Sequence, residues 1–86
     1  MRLDKFLWFV RLVKSRTLAQ QLVGQGHLRI DGRPTDRPAA EVRIGSVLTF
    51  ALNDRVRVLR IEALPAQRGS APEAQACYTD LSSATG

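Results

Sequence analysis

The 86 residues make one domain with no second core, and a chain of this size buries only about 60 to 65% of its unfolded surface, which argues against a deep enzyme pocket. An apolar fraction of 44% and a charged fraction of 24% are ordinary for a folded chain and exclude wholesale disorder. Thirteen Lys and Arg against eight Asp and Glu leave a net charge of +5, a sign that implies attraction to polyanions such as nucleic acid or an acidic membrane.

From Leu3 to Val13 the apolar residues are dense. Leu3, Leu7 and Val10 are spaced for one helical face, and Phe6, Phe9 and Val13 widen it, which predicts a helix buried on more than one side. Asp4 lies in its first turn and suits the positive end of the helix dipole. Ser15 interrupts, and as an N-cap ahead of Leu18, Ala19, Leu22 and Val23 it predicts a second helix, with Gly24 and Gly26 marking its end. At His27 the period changes to alternation. Asp31-Gly32 is a strong two-residue hairpin signal, because its turn needs positive φ at both positions. Residues 34 to 40, with Pro34 and Pro38, are expected to be extended and irregular.

Residues 46 to 50 and 55 to 61 read as two further strands joined by a turn at Asn53-Asp54. In the second, Val56 and Val58 are expected to face the core together with Leu59 or Ile61, leaving Arg55, Arg57 and Arg60 in water. Pro65 ends the strand, residues 67 to 72 are linker-like, and residues 73 to 81 predict one or two helical turns with Ala74, Cys77, Tyr78 and Leu81 as the apolar edge. Ser82 to Gly86 is expected to fray. The predicted fold is α+β: two helices packed on a small antiparallel sheet, with a short helical or irregular tail. Residues 2–64 form the domain, and residues 65–86 are linker and tail.

Residues 1 to 68 contain all thirteen cations and six of the acids, whereas residues 69 to 86 carry only Glu73 and Asp80. The basic character therefore belongs to the folded part. Only Lys5 and Lys14 are lysines, and the guanidinium is a planar fork of donors that matches phosphate oxygens. A GC-rich genome would account for arginine over lysine equally well, but not for the net sign. A lone Cys77 forms no intramolecular disulfide and has no helper His, so it reads as a small apolar residue. No apolar run reaches the roughly 20 residues that span a bilayer, and Phe6 to Val13 lacks a cleavage signature. The expected location is the cytoplasm, with no membrane partner.

Catalytic constellations are thin. His27 is the single histidine, too few ligands for a zinc site, and Gly24-x-Gly26 comes at a helix end, not at the start that a dinucleotide loop requires. Asp4, Asp31, Asp36 and Asp54 are accounted for by helix starts and turns. No catalytic residue, metal, cofactor or small-molecule substrate is assigned. Arg2, Lys5, Arg11, Lys14 and Arg16, by contrast, sit within fifteen residues that hold a single acid, Asp4. Arg29, Arg33 and Arg37 rim the adjacent strand and loop. Such a cluster can clamp a phosphate backbone with guanidiniums and helix-terminal amides, although an amphipathic helix also needs a polar exterior. Phe6 and Phe9 are assigned to packing. Trp8 is left between packing and a partly exposed contact on which a base could stack.

The run Arg2-Leu3-Asp4-x-x-Leu7, then Lys14-Ser15-Arg16-x-x-Ala19-x-x-Leu22-Val23-x-x-Gly26-x-Leu28-x-Ile30-x-Gly32, resembles the RNA-binding module of ribosomal small-subunit protein four, the S4 domain. It covers about residues 2 to 50, and its joint spacing is more specific than any of its pieces. Lys5-x-Leu7-Trp8, Arg37-Pro38, Gln67-Arg68, Ala71-x-Glu73-Ala74 and Tyr78 extend the resemblance to the ribosome-associated heat shock protein 15 family. The resemblance implies an αL fold that binds structured RNA without catalysis. The expected partner is ribosomal RNA of the free large subunit, including stalled subunits that carry peptidyl-tRNA, and the expected role is recycling after stress. It implies RNA contacts at Arg2, Lys5, Arg11, Lys14, Ser15, Arg16 and Gln20, with Arg29, Arg33 and Arg37 at the edge, and core positions at Leu3, Leu7, Ala19, Leu22 and Val23. Gly45-Ser46 stands where such domains often show Gly-Asp. Members of that family often continue into a lysine-rich C-terminal helix, where residues 69 to 86 here hold two acids and no base. Three rival readings remain: an RNA-binding accessory domain or fragment of an RNA-modifying or tRNA-charging enzyme, a two-helix DNA-binding module with Arg16, Gln20 and Gln21 as readers, and a protein-interaction module, which requires an apolar, buried helical face.

Overall fold

A computed structural model describes residues 1–81, so the expectation for Ser82 to Gly86 lies outside the described residues. The chain runs α1 (Leu3–Phe9), α2 (Arg16–Gly24), β1 (Leu28–Ile30), β2 (Arg33–Thr35), β3 (Val47–Leu52), β4 (Arg55–Ile61), α3 (Ala71–Gln75) and β5 (Tyr78–Asp80). The strands form one antiparallel sheet in the order β2-β1-β3-β4-β5. Leu3, Phe6 and Leu7 of α1 and Ala19 and Val23 of α2 are buried with Leu28, Leu48, Phe50, Leu59 and Ile61 of the sheet. Leu22 is only half-buried and packs on the edge of that core.

Helix α1 is shorter than its apolar pattern predicts. Val10 is its C-cap, and Arg11 enters the left-handed region at φ 60°. The Arg11 amide donates to the Trp8 carbonyl and the Leu12 amide to the Leu7 carbonyl, both at 3.1 Å. This is the Schellman pattern that satisfies the last carbonyls of a helix, here with arginine in place of the usual glycine. The buried Val10 and Val13 continue the apolar run, which is why periodicity alone overshoots. Helix α2 starts as expected, with Ser15 Oγ accepting from the Leu18 amide at 3.1 Å. It ends at Gly24, followed by Gly26 at φ +80°.

Both hairpin turns have positive φ at both central residues, Asp31 and Gly32 in one, Asn53 and Asp54 in the other, the type I′ geometry that matches strand twist. Two sheet details differ from expectation. Pro34 lies inside β2, opposite Arg29. It is tolerated because β2 is an edge strand, where a missing amide donor breaks no ladder on the outer side. In β4 the core face is Leu59 and Ile61, whereas Val56 is 65% exposed and Val58 half-buried. Since side chains alternate, burying Leu59 sends Val58 and Val56 to the open face and places Arg57 on the Leu59 side, where it pairs with Asp80 at 2.9 Å.

The residues after Pro65 hold more structure than a helical tail. Ser70 and Glu73 form a capping box at α3, and Ala74 and Cys77 are buried in the main core. Tyr78 then begins a strand, not a continued helix turn. Tyr78 pairs with Ile61 and Thr79 with Arg60, so β4's free edge supplies hydrogen bonds that a five-residue helix could not supply for itself. Burial and the nearby Glu73 push the Cys77 thiol up, which keeps it protonated.

Candidate nucleic-acid interface

The N-terminal end of α1 carries the one buried carboxylate among the described residues. Asp4 is fully buried, and its oxygens accept from Arg2 Nε and Nη2 at 3.1 and 3.2 Å, Arg16 Nε at 3.4 Å, Gln20 Nε2 at 3.2 Å and the Lys5 amide at 2.8 Å. Burial by itself would raise its pKa. The hydrogen bonds from Arg2, Gln20, the Lys5 amide and Arg16 outweigh burial and hold the carboxyl below its ordinary value. The sequence pattern marks Asp4 as a helix-start residue; the fold makes it the hub that joins α1 to α2. The readable signal was a single acid on the shoulder of the Leu3/Leu7 stripe, with Arg16 and Gln20 one turn apart on the next helix.

The hub sets the positions of three predicted contacts. Arg2 and Arg16 direct one edge of each guanidinium inward and stay 47% and 41% exposed. Two guanidiniums on one carboxylate leave a surplus positive charge at a fixed place, and their remaining donors face solvent. Gln20 is held beside them. The adjoining loop is strapped to the same end: the Leu3 amide donates to the Ala40 carbonyl at 2.9 Å and the Asp4 amide to the Pro38 carbonyl at 3.0 Å. That strap holds the loop that carries Arg37, which lines a shallow cleft of about 420 Å³ with Gly26, Pro34, Thr35 and Asp36. It also changes the expected chemistry. The amides of Leu3, Asp4 and Lys5 are spent on carbonyls and on Asp4 itself, so the anion-facing donors at this end are side chains and not helix-terminal N–H groups.

The other predicted contacts are more dispersed. Lys5 Nζ lies 5.3 Å from the centre of the Phe9 ring. Ser15 is committed to capping α2. Lys14 is exposed on the α1–α2 connection, on the side that faces Leu18, Leu52 and Asn53. Arg11 lies at the far end of α1 and donates from Nε to the Gly69 carbonyl at 2.6 Å, which ties α1 to the segment before α3. Arg68 completes that tie by donating to the Trp8 carbonyl at 3.1 Å, with its guanidinium 6.0 Å from the Trp8 ring. Trp8 is therefore half-buried between the core and Arg68, which decides its role for packing. Arg29 reaches the Gly32 carbonyl at 3.1 Å inside its own hairpin, and Arg33 lies exposed on edge strand β2.

Residues 1–48 match the S4 domain family model. The chain belongs to the S4 domain family. The S4 domain is an RNA-binding domain. Heat shock protein 15 of Escherichia coli (strain K12) is 32% identical over 79 residues, 92% of this chain and 59% of that protein. The Haemophilus influenzae homolog is 32% identical over 82 residues, 95% of this chain and 62% of that protein. The chain thus spans about three-fifths of the length of these relatives. Small ribosomal subunit protein uS4 of Ligilactobacillus salivarius is 40% identical over 73 residues, 83% of this chain and 35% of that protein. The trimeric structure of Vibrio cholerae heat shock protein 15 superposes with a TM-score of 0.89 at 34% identity, over 99% of this chain and 85% of that one. That similarity extends beyond the S4 segment to α3 and β5. Among the described residues, no helix is long and apolar enough to cross a membrane.

Proposed function

We propose that this protein is a non-catalytic binder of structured ribosomal RNA that acts on the free large ribosomal subunit and assists recycling of stalled subunits after stress. The observation that carries the reading is the Asp4 hub, which holds Arg2, Arg16 and Gln20 in one place with their outer donors free. A-form RNA hides its base edges from side chains in a deep, narrow groove, so recognition of folded RNA works by shape and by phosphate and ribose contacts. Fixed guanidiniums suit that task, because the entropy of ordering them is already lost before RNA arrives. Lys5, Arg37 and Lys14 extend the phosphate track on either side, and Arg11, Arg29 and Arg33 are its outer members. Ribosomal RNA is favoured over other RNA by the similarity to heat shock protein 15 and to uS4, and tRNA on the stalled subunit is a second RNA partner within reach. The DNA reading is disfavoured because Arg16 and Gln20 are turned to Asp4, whereas a recognition helix must aim such side chains at base edges.

The test has two parts. Fractionation of cell ribosomes on a gradient should find the protein with free large subunits and not with small subunits or assembled ribosomes. Binding to large-subunit RNA should weaken steeply between low and high salt, since each neutralised phosphate releases counterions. Migration with small subunits, or affinity independent of salt, would remove this reading.

A further inference from the structure

We infer that the flank of α2 opposite the Asp4 hub seats one unpaired nucleotide of the bound RNA; this rests on the RNA-binding reading above and adds a base contact to its phosphate contacts. Along α2, Ala19 and Val23 point into the core, and Arg16 and Gln20 lie on the hub side. Leu18, Leu22 and Gln25 fall on the other side, as the helical repeat requires. There α2, the α1–α2 connection and the β3–β4 turn enclose a groove of about 430 Å³, within the roughly 300–1,000 Å³ of small-ligand sites. Its floor is aliphatic: Leu22 and Leu52 pack on the core, and Leu18 is 44% exposed over them. Gln21, Gln25 and Asn53 form an exposed amide rim, and among the described residues Lys14 is the one charged group that lines it.

A nucleobase answers each part of this arrangement. Its faces are apolar and its edge alternates donors with acceptors, and a carboxamide presents both and can pair with such an edge. Lys14 supplies a point charge for the attached phosphate, and among the described residues no acid lines the groove to oppose it. Unpaired bases are the parts of folded RNA that side chains can reach. The helix with its side chains is only about 10–12 Å across, so a strand clamped at Arg2 and Arg16 can pass a base over the α2 ridge. A second copy of the chain is the weaker occupant. Among the described residues Leu18 is the only large apolar one in the groove that is openly exposed, too little for a stable dimer interface of about 1,200–2,000 Å².

The experiment uses the full chain, isotopically labelled, with three probes: a fully paired RNA hairpin, the same hairpin with a single-nucleotide bulge, and adenosine 5′-monophosphate. The bulged hairpin should bind at least about fivefold more tightly than the paired one, with NMR shifts at the Leu18 methyls and the Gln21, Gln25 and Asn53 amides. The mononucleotide at millimolar concentration should shift the same signals. The double variant Leu18→Gln, Asn53→Gly keeps the net charge and the positive φ at residue 53; it should lose the bulge increment and leave paired-hairpin affinity unchanged, with its fold checked by circular dichroism. If the paired hairpin binds but the bulge adds nothing, or if the variant keeps the increment, the nucleotide seat is overturned while the clamp stands. If only the bulged hairpin and the mononucleotide bind, through the groove signals, the seat stands and the clamp falls. Binding of none of the probes overturns both, and a Leu18→Gln variant that converts an oligomer to monomer in sedimentation assigns the groove to a second copy.

Discussion

Residues 1–48 hold nine cations and four acids, whereas residues 49–86 hold four of each, and the ion pairs follow that division. In the second region Arg57 meets Asp80 at 2.9 Å and Arg60 meets Glu62 at 3.0 Å, with all four side chains partly open to water. Such partly exposed pairs are screened by solvent. In the first region a single buried carboxylate is shared by two guanidiniums and an amide. Arginine content alone does not make an interface. What separates the Asp4 hub from those pairs is burial: Asp4 is fully buried between two guanidiniums, and burying the acid fixes where their charge sits.

The substitution expected to act most strongly on this contrast is Asp4→Asn. It keeps the shape and removes the charge, so the charge-assisted hydrogen bonds weaken, at a cost of about 1.5–3 kcal/mol in urea unfolding. The larger loss seen for fully buried pairs does not apply, because Arg2 and Arg16 are nearly half exposed and can return to water. RNA affinity gives an opposed sign test. Counting charge alone, the variant should bind more tightly; positioning by Asp4 requires weaker binding, by about tenfold, or about 1.4 kcal/mol. Since the folded carboxyl titrates below its ordinary value of 3.8, its contribution is complete above that value and is lost as pH falls through the folded pKa. The stability gap between wild type and Asp4→Asn should therefore be flat above about pH 5 and close below about pH 4. A gap that widens in acid would mean that the carboxyl is not held ionised.

Next in size is Arg2→Gln with Arg16→Gln. Loss of two phosphate contacts should flatten the slope of log affinity against log salt by about 1.4–1.8, measured by fluorescence anisotropy on a structured RNA. An unchanged slope would place the phosphate track elsewhere, on Lys14, Arg33 and Arg37.

Much of this was legible in the residues. Ser15, Asp31-Gly32 and Asn53-Asp54 act through strictly local geometry, so the start of α2 and both turns were readable at residue level. The end of α1 was not, because Arg11 takes a left-handed conformation that sequence reasoning reserves for glycine or asparagine. The face of β4 is ambiguous in sequence because Val56, Val58, Leu59 and Ile61 satisfy either register in isolation, and the partner strands choose. Strand β5 depends wholly on β4's free edge, and the capping-box spacing Ser70-x-x-Glu73, the local signal for α3, begins in the stretch that reads as linker. At the site, the cations were visible as composition, while the hub that sorts them needs two helices to meet and is a tertiary fact.

Ser70→Ala tests the second region as scaffold. Ser70 Oγ accepts from the Glu73 amide at 3.4 Å, and the Glu73 carboxylate accepts from the Ser70 amide at 3.2 Å. Loss of this reciprocal cap should cost about 0.5–1 kcal/mol in thermal or urea unfolding and leave RNA affinity within about twofold, a difference of about 0.4 kcal/mol.

The smallest effect is expected from Arg57→Gln with Arg60→Gln, which removes the same two charges as the Arg2 and Arg16 pair. Partly exposed pairs contribute about 0–1 kcal/mol each, so stability should fall only slightly. Binding should change less than about twofold at 0.15 M salt, where charges more than about 8 Å from the RNA are largely screened. Equal loss of net charge with unequal loss of affinity separates a placed cluster from general basicity. If both double variants weaken RNA binding alike, attraction to RNA is a property of the whole +5 chain, and the Asp4 hub is an element of the fold alone.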